Sequence, residues 1–150
     1  MNIDFIILAA GKGTRMGGDS PKVLASLAGK PMIQHLIDTV DSFPNSKTSI
    51  VVGYKSNEVE RDLVSQKKLS FVKQKNQLGT AHAVKQALPN IRKNSVAVIL
   101  YGDVPLVKKN TLNRLIKSAS TGKLSLLTFI KEDPTGCLLY TSPSPRDTRE

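Results

Sequence analysis

Residues 8–24 read LAAGKGTRMGGDSPKVL and crowd small and cationic side chains into one stretch. Gly11, Gly13, Gly17 and Gly18 fall within eight positions, and Lys12, Arg15 and Lys22 stand among and after them. Glycines let backbone N–H groups approach an anion closely, and the cations add charge to such a cradle. The pattern points to phosphate chemistry. It is not the P-loop spacing G-x-x-x-x-G-K-[ST], because Gly11-Lys12-Gly13-Thr14 has the wrong interval. It is not the dinucleotide spacing G-x-G-x-x-G, because Met16 stands where glycine or alanine is needed. An ordinary glycine-rich surface turn is the competing reading. A second place for chemistry is Gly102-Asp103, at the end of the apolar run VAVILY. Neither histidine has metal-ligand spacing around it: His35 reads as a helix boundary residue, and His82 as helix packing or helix-start hydrogen bonding.

Regular elements must carry these loops. Residues 3–10, IDFIILAA, are β-branched and nearly all apolar, which predicts a buried strand. Pro31 opens a predicted helix to about Phe43, with Met32, Ile33, Leu36, Ile37 and Val40 at helical spacing. Residues 48–53 predict a second strand, and Asn57 with Glu60 a capping pair for a helix to about Ser65. Further strands are expected at 69–73, 96–101 and 124–130, and helices at 79–88 and 111–119. This alternation predicts a parallel sheet with helices on both faces. Right-handed crossovers then line the strand C-termini along one edge, where such sheets bind ligands. The glycine loop and Gly102-Asp103 both belong to that edge.

Composition bounds the partners. With 150 residues, 39% hydrophobic and 23% charged, the chain suits one soluble domain. No apolar run approaches the length of a membrane span. Asp4 precedes the N-terminal apolar stretch and no basic region does, so a buried strand is expected there, not a signal peptide. Cys137 is the only cysteine, which excludes an intrachain disulfide and fits a reducing cytoplasm. Net charge is +10, yet the lysines are scattered and aromatics are only 5%. No nucleic-acid motif accompanies that charge, so a small polyanion is the expected partner.

Leu8–Met16, LAAGKGTRM, followed by Pro21-Lys22-Val23-Leu24, resembles the signature loop of the sugar-phosphate nucleotidyltransferases. Gln77–Ala83, QLGTAHA, and Tyr101–Pro105, YGDVP, narrow the resemblance to the N-acetylglucosamine-1-phosphate uridylyltransferase family. It runs over residues 3–136, with three motifs in order at compatible spacings. It implies an α/β, Rossmann-like nucleotidyltransferase domain, mostly parallel, with helices on both faces and incomplete at the C-terminus. By this resemblance Leu8, Ala9, Ala10 and Gly11 contact the nucleotide through their backbone. Arg15 and Lys22 hold the triphosphate and act in catalysis with Asp103. Gln74 reads uracil, Gly79 and Thr80 add contacts to the base, and Tyr101 and Gly102 belong to the same nucleotide site. Asp103 matches a magnesium ligand, a role that suits a hard carboxylate oxygen. The plain structural alternatives are a turn residue before Pro105 for Asp103 and a solvated strand end for Gln74.

The resemblance implies transfer of UMP from UTP to N-acetylglucosamine 1-phosphate, giving UDP-N-acetylglucosamine and pyrophosphate. The attacking phosphate is already ionised near neutral pH, so positioning and charge neutralisation suffice, with Mg²⁺ as cofactor. A sister nucleotidyltransferase with another sugar or base, and a nucleotide-binding module without turnover, are the alternatives. The family's domain continues beyond this chain with most of the sugar pocket, then a left-handed β-helix acetyltransferase domain that makes trimers. Its product feeds peptidoglycan and lipopolysaccharide synthesis, and the 150-residue chain alone is expected to be inactive. No nucleic-acid or membrane partner is implied. Residues 137–150, CLLYTSPSPRDTRE, depart from the family, which continues Tyr-Gly-Arg after Gly136. They hold the only cysteine, carry no net charge and resemble a translated sequencing-adapter read, so a non-native tail is expected there and residues 1–136 form the domain.

Overall fold

A computed structural model describes residues 1–11, 20–53 and 55–128. Strand β1 (Asn2–Ala9) is central because nearly every side chain on it is apolar and buried. It pairs in parallel with β4 (Ser46–Val52) on one side and β6 (Ser95–Tyr101) on the other, and β5 (Leu69–Lys73) extends the sheet beyond β4. The order is β5-β4-β1-β6, all parallel. Chain order therefore reverses direction between β1 and β6, and that crevice is where open α/β sheets bind ligands.

The alternation along β1 splits the core into two layers. Ile3, Phe5, Ile7 and Ala9 face helices α1 (Met32–Asp41), α2 (Ser56–Asp62) and α4 (Lys109–Ala119), which contribute Ile33, Leu36, Ile37, Val40, Val59, Leu112 and Ile116. Phe5 and Phe43 meet edge to face at 5.3 Å between centroids. Each fully buried aliphatic or Phe side chain stabilises the fold by about 1.5–3 kcal/mol. On the other face Ile6, Ala10 and Val51 pack against Ala83 and Ala87 of α3 (Thr80–Ala87). Helices cover both faces, as the α/β alternation requires.

Three local expectations are corrected. The helix expected from Pro31 begins at Met32, and Pro31 instead closes a small hairpin of β2 (Ser26–Leu27) and β3 (Lys30–Pro31). Its two turn residues, Ala28 and Gly29, have φ of +49° and +82°. Alanine is an unusual residue in such a turn, so the hairpin lacked its ordinary Asn-Gly signal. Asn57 and Glu60 do not cap α2: the residue before the helix is Lys55 in a left-handed conformation, and the helix ends at Asp62. Residues 124–128 form no strand, and Leu124 is 91% exposed. An apolar run becomes a strand only where a ladder partner exists, and among the described residues no sheet pairing reaches this segment. The expected tail at 137–150 lies outside the described residues.

Candidate active site at the strand C-termini

All four sheet strands end on one edge, so Ala10-Gly11, Gly53, Gln74 and Gly102-Asp103 follow one another along it. The β1–β6 ladder continues one step past the last paired strand residues, where the Gly102 N–H donates to Leu8 O at 2.9 Å. A side chain on Gly102 would stand 3.0 Å from that oxygen and 2.9 Å from Val23 Cγ1. The glycine is thus needed for close approach, and it sets the backbone from which Asp103 projects. Val23 belongs to the 3-10 turn Lys22–Leu24, so the same contact fixes where Lys22 begins. Lys22 Nζ and Asp103 Oδ2 are 2.8 Å apart, each side chain 38% exposed. Residues 81 positions apart in sequence thus form one charge pair at the switch point.

Tyr101 is half-buried at the end of β6, and Leu8 is half-buried beside it in register. Ala9 and Ala10 are buried, and Gly11 is exposed where the loop departs. The cations Lys12 and Arg15 lie outside the described residues, and of the glycine loop only its two ends are described.

The other half of the edge is built by the β5–α3 connection. The Gln74 N–H donates to Val52 O at 2.8 Å, extending the β4–β5 ladder, and the residue is buried at 5% exposure. Its side-chain Nε2 donates to Gly79 O at 3.2 Å and lies 2.9 Å from His82 Nδ1. Gly79 sits at φ +97° immediately before α3, a conformation that strains any other residue. Thr80 is exposed in the first turn. Gln77 Nε2 donates to Ala10 O at 2.6 Å, tying this connection to the start of the glycine loop. Gln77 had entered only as part of a motif, and this bond joins the two halves of the edge. Gly53 was also passed over: a Cβ there would meet Ala10 O at 3.0 Å. The glycine that follows the run TSIVV was its only signal.

Among the described residues no three His, Cys, Asp or Glu side chains gather to hold a metal. Among the described residues, Asp103 is the carboxylate that follows the switch-point strand, paired with Lys22. That donor set fits a magnesium ion that brings phosphate oxygens and water as its other ligands, and does not fit a resident metal cage. The ion pair with Lys22 is exposed enough to contribute at most about 1 kcal/mol, so it opens cheaply when both groups are needed by a ligand. A separate concavity of about 520 Å³ beside α1, lined by Lys30, Gln34, Asp38 and Asp41 among others, includes none of the strand-end residues. Its polar groups already pair with one another, Gln34 with Asp38 and Val64 O, and Ser65 with Asp41.

An open parallel sheet with a glycine loop after its first strand, a carboxylate after its switch-point strand and an amide between them has the form of a nucleotidyltransferase domain. The MobA-like NTP transferase domain family matches residues 5–147, and the chain belongs to that family. It matches the N-terminal nucleotidyltransferase region of curated relatives named bifunctional protein GlmU. The one from Nitrosomonas eutropha is 47% identical over 136 residues, 91% of this chain and 30% of that protein. The chain therefore spans about a third of the length of the relatives it matches. Among solved structures, HddC from Yersinia pseudotuberculosis complexed with GMP-PN superposes with a TM-score of 0.64 at 27% identity, covering 77% of this chain and 53% of that one. Rv0371C from Mycobacterium tuberculosis, solved as a complex with manganese, superposes at 0.64 with 20% identity, covering 81% and 61%, and shares the fold.

Proposed function

We propose that the chain is the nucleotide-binding part of a uridylyltransferase that transfers UMP from UTP to N-acetylglucosamine 1-phosphate with Mg²⁺. The observation that carries this reading is the convergence of the Lys22–Asp103 pair and the buried Gln74 on one strand edge, closed by the Gln77–Ala10 bond. In this reading Lys22, with Arg15 from the glycine loop, neutralises the triphosphate. Leu8, Ala9, Ala10 and Gly11 line the base and ribose, while Tyr101 and Gly102 floor the site beside the metal ligand Asp103. Gln74, Gly79 and Thr80 select the base. The metal, when bound, supplies charge neutralisation on the phosphate oxygens. The likeness to GlmU proteins at 47% identity supports uracil and an N-acetylated sugar over other choices. The sugar pocket belongs to sequence beyond this chain in that reading, and the whole protein is a cytoplasmic homotrimer serving cell-envelope synthesis. Residues 137–150 are no part of the domain in this reading, although the family match runs to residue 147.

Isothermal titration of UTP, CTP, ATP and GTP with Mg²⁺ tests the reading. UTP is expected to bind tightest. Equal affinity for all four reduces the site to a phosphate cradle, and tightest binding of GTP makes the protein a guanylyl-specific sister enzyme.

A further inference from the structure

The sequence reads His82 as helix packing or helix-start hydrogen bonding, and in the first turn of α3 its ring stands in a hydrogen-bond chain that ends at Gln74. Gln74 is buried, and its Nε2 faces two partners, Gly79 O at 3.2 Å and His82 Nδ1 at 2.9 Å. The carbonyl can only accept, so the atom beside it must be the amide nitrogen. One amide hydrogen goes to Gly79 O, and the other then points at His82 Nδ1. That nitrogen must accept, which places the His82 proton on Nε2. His82 Nε2 lies 3.2 Å from the Gln86 amide group. The atom set there is Gln86 Nε2, which also reaches His82 O at 3.5 Å, so an N–H on the ring requires the Gln86 amide to be turned with its oxygen to His82 Nε2. Because Gly79 O fixes the Gln74 nitrogen, Gln74 donates to His82, and with the Gln86 amide so turned His82 donates to Gln86.

Both amide hydrogens of Gln74 are then committed inside the protein. Its oxygen Oε1 is the only atom left to meet a ligand, and an oxygen accepts. Uracil presents an N3–H donor at its pairing edge, whereas cytosine presents a bare N3 acceptor there. We infer that His82, in its Nε2–H tautomer, is a positioning residue that holds the Gln74 amide with its oxygen toward the base and so sets uracil over cytosine. This rests on the proposed function for the role of Gln74 and adds the device that orients it. Gly79 O alone leaves the amide with one bond of 3.2 Å, while it also accepts the Ala83 N–H at 3.1 Å. The shorter bond to the ring is the stronger restraint against a flip.

Two measurements on the full 150-residue chain decide it. Long-range ¹H–¹⁵N correlation of the histidine ring reads the tautomer directly and needs no ligand. An Nε2–H ring at neutral pH is expected, and an Nδ1–H or doubly protonated His82 overturns the inference. The second is the ratio of UTP to CTP affinity in four proteins. The native chain is expected to prefer UTP by about tenfold or more, the cost of opposing two unsatisfied acceptors in a buried site. His82→Ala is expected to cut that ratio by at least about threefold, and His82→Asn, whose Oδ1 accepts near the place of Nδ1, to restore it. Gln74→Ala is expected to abolish it. A ratio lost in Gln74→Ala but untouched in His82→Ala overturns the inference and leaves Gln74 as the reader. A ratio untouched in both, or no binding of UTP at all, overturns the uridylyltransferase reading, and the tautomer alone then decides whether His82 orients the amide.

Discussion

At the scale of single residues, the edge of the sheet is set by contacts that no side chain except glycine allows. A Cβ at Gly102 would meet Val23 Cγ1 at 2.9 Å and Leu8 O at 3.0 Å, and one at Gly53 would meet Ala10 O at 3.0 Å, so close backbone approach positions the segments that carry Asp103 and lead into the glycine loop. Asp103 is the test of what that positioning serves. As an ordinary turn residue it contributes only an exposed ion pair to Lys22, worth at most about 1 kcal/mol. As a metal ligand it contributes nothing until a nucleotide arrives with its cation. Asp103→Asn is therefore expected to leave the thermal unfolding midpoint nearly unchanged and to remove the increase in UTP affinity that Mg²⁺ brings. Titrations with and without the metal check this; an unchanged magnesium increment places the metal on other groups. Gln74 shows the limit of reading single residues from sequence. The resemblance singles it out as the base reader beside the plain alternative of a solvated strand end, and only its place between Gly79 and His82 reveals that it is buried and oriented.

At the scale of elements, one arginine fastens the opposite edge of the sheet. Arg92 donates through its backbone N–H and Nε to the Asp4 carboxylate, at 2.8 Å each, and through Nη2 to Ile3 O at 2.8 Å and Asn45 O at 3.0 Å. It thus clasps the starts of β1 and β4 to the residues that lead into β6. Burial pushes the Asp4 carboxyl up, but the hydrogen bonds from Arg92 and Ser95 outweigh it and hold the group below its ordinary value of 3.8. A lowered native pKa means that the unfolded chain binds the proton more readily, so stability rises with pH across the interval between the two values. The contribution is complete above about pH 4 and is lost as pH falls through the native pKa. Arg92→Ala is expected to cost about 3 kcal/mol at pH 7, because it strands a buried carboxylate, and less in acid, where the stranded carboxylate protonates. Urea midpoints measured from pH 3 to 7 check the convergence; parallel curves for the two proteins would refute it. The strands β1, β4, β5 and β6 and the helices were legible because a two- or 3.6-residue apolar period is a local property. The β2–β3 hairpin, the Lys55 helix start and the fate of residues 124–128 were not, since each depends on backbone conformation or on a partner strand elsewhere in the chain.

At the scale of the whole molecule, the two faces of the sheet are unequally covered. Ile6 and Ile99 are register partners on the α3 side, yet Ile6 is 1% exposed and Ile99 46%, because α3 packs over β1 and β4 and stops short of β6. The same substitution should therefore report two environments: Ile6→Ala is expected to cost about 2–5 kcal/mol, and Ile99→Ala less than about 1 kcal/mol. Denaturant unfolding checks the difference, and equal costs would mean that β6 is covered in solution. Charge is the other property of the whole chain. The excess of 22 basic over 12 acidic residues gives +10, and the basic residues are scattered along the sequence. Such a distributed field acts at long range on any small polyanion and little on a neutral ligand. Raising salt from about 0.01 M to about 1 M shortens the screening length from roughly 30 Å to roughly 3 Å, which removes the distant lysines and leaves only the contacts at the site. UTP affinity is expected to fall by about tenfold or more over that range, through its association rate, while uridine affinity stays constant. Stopped-flow association at several salt concentrations separates the two. A UTP association rate indifferent to salt would mean that the surface lysines play no part in capture and that the triphosphate is held by the loop cations alone.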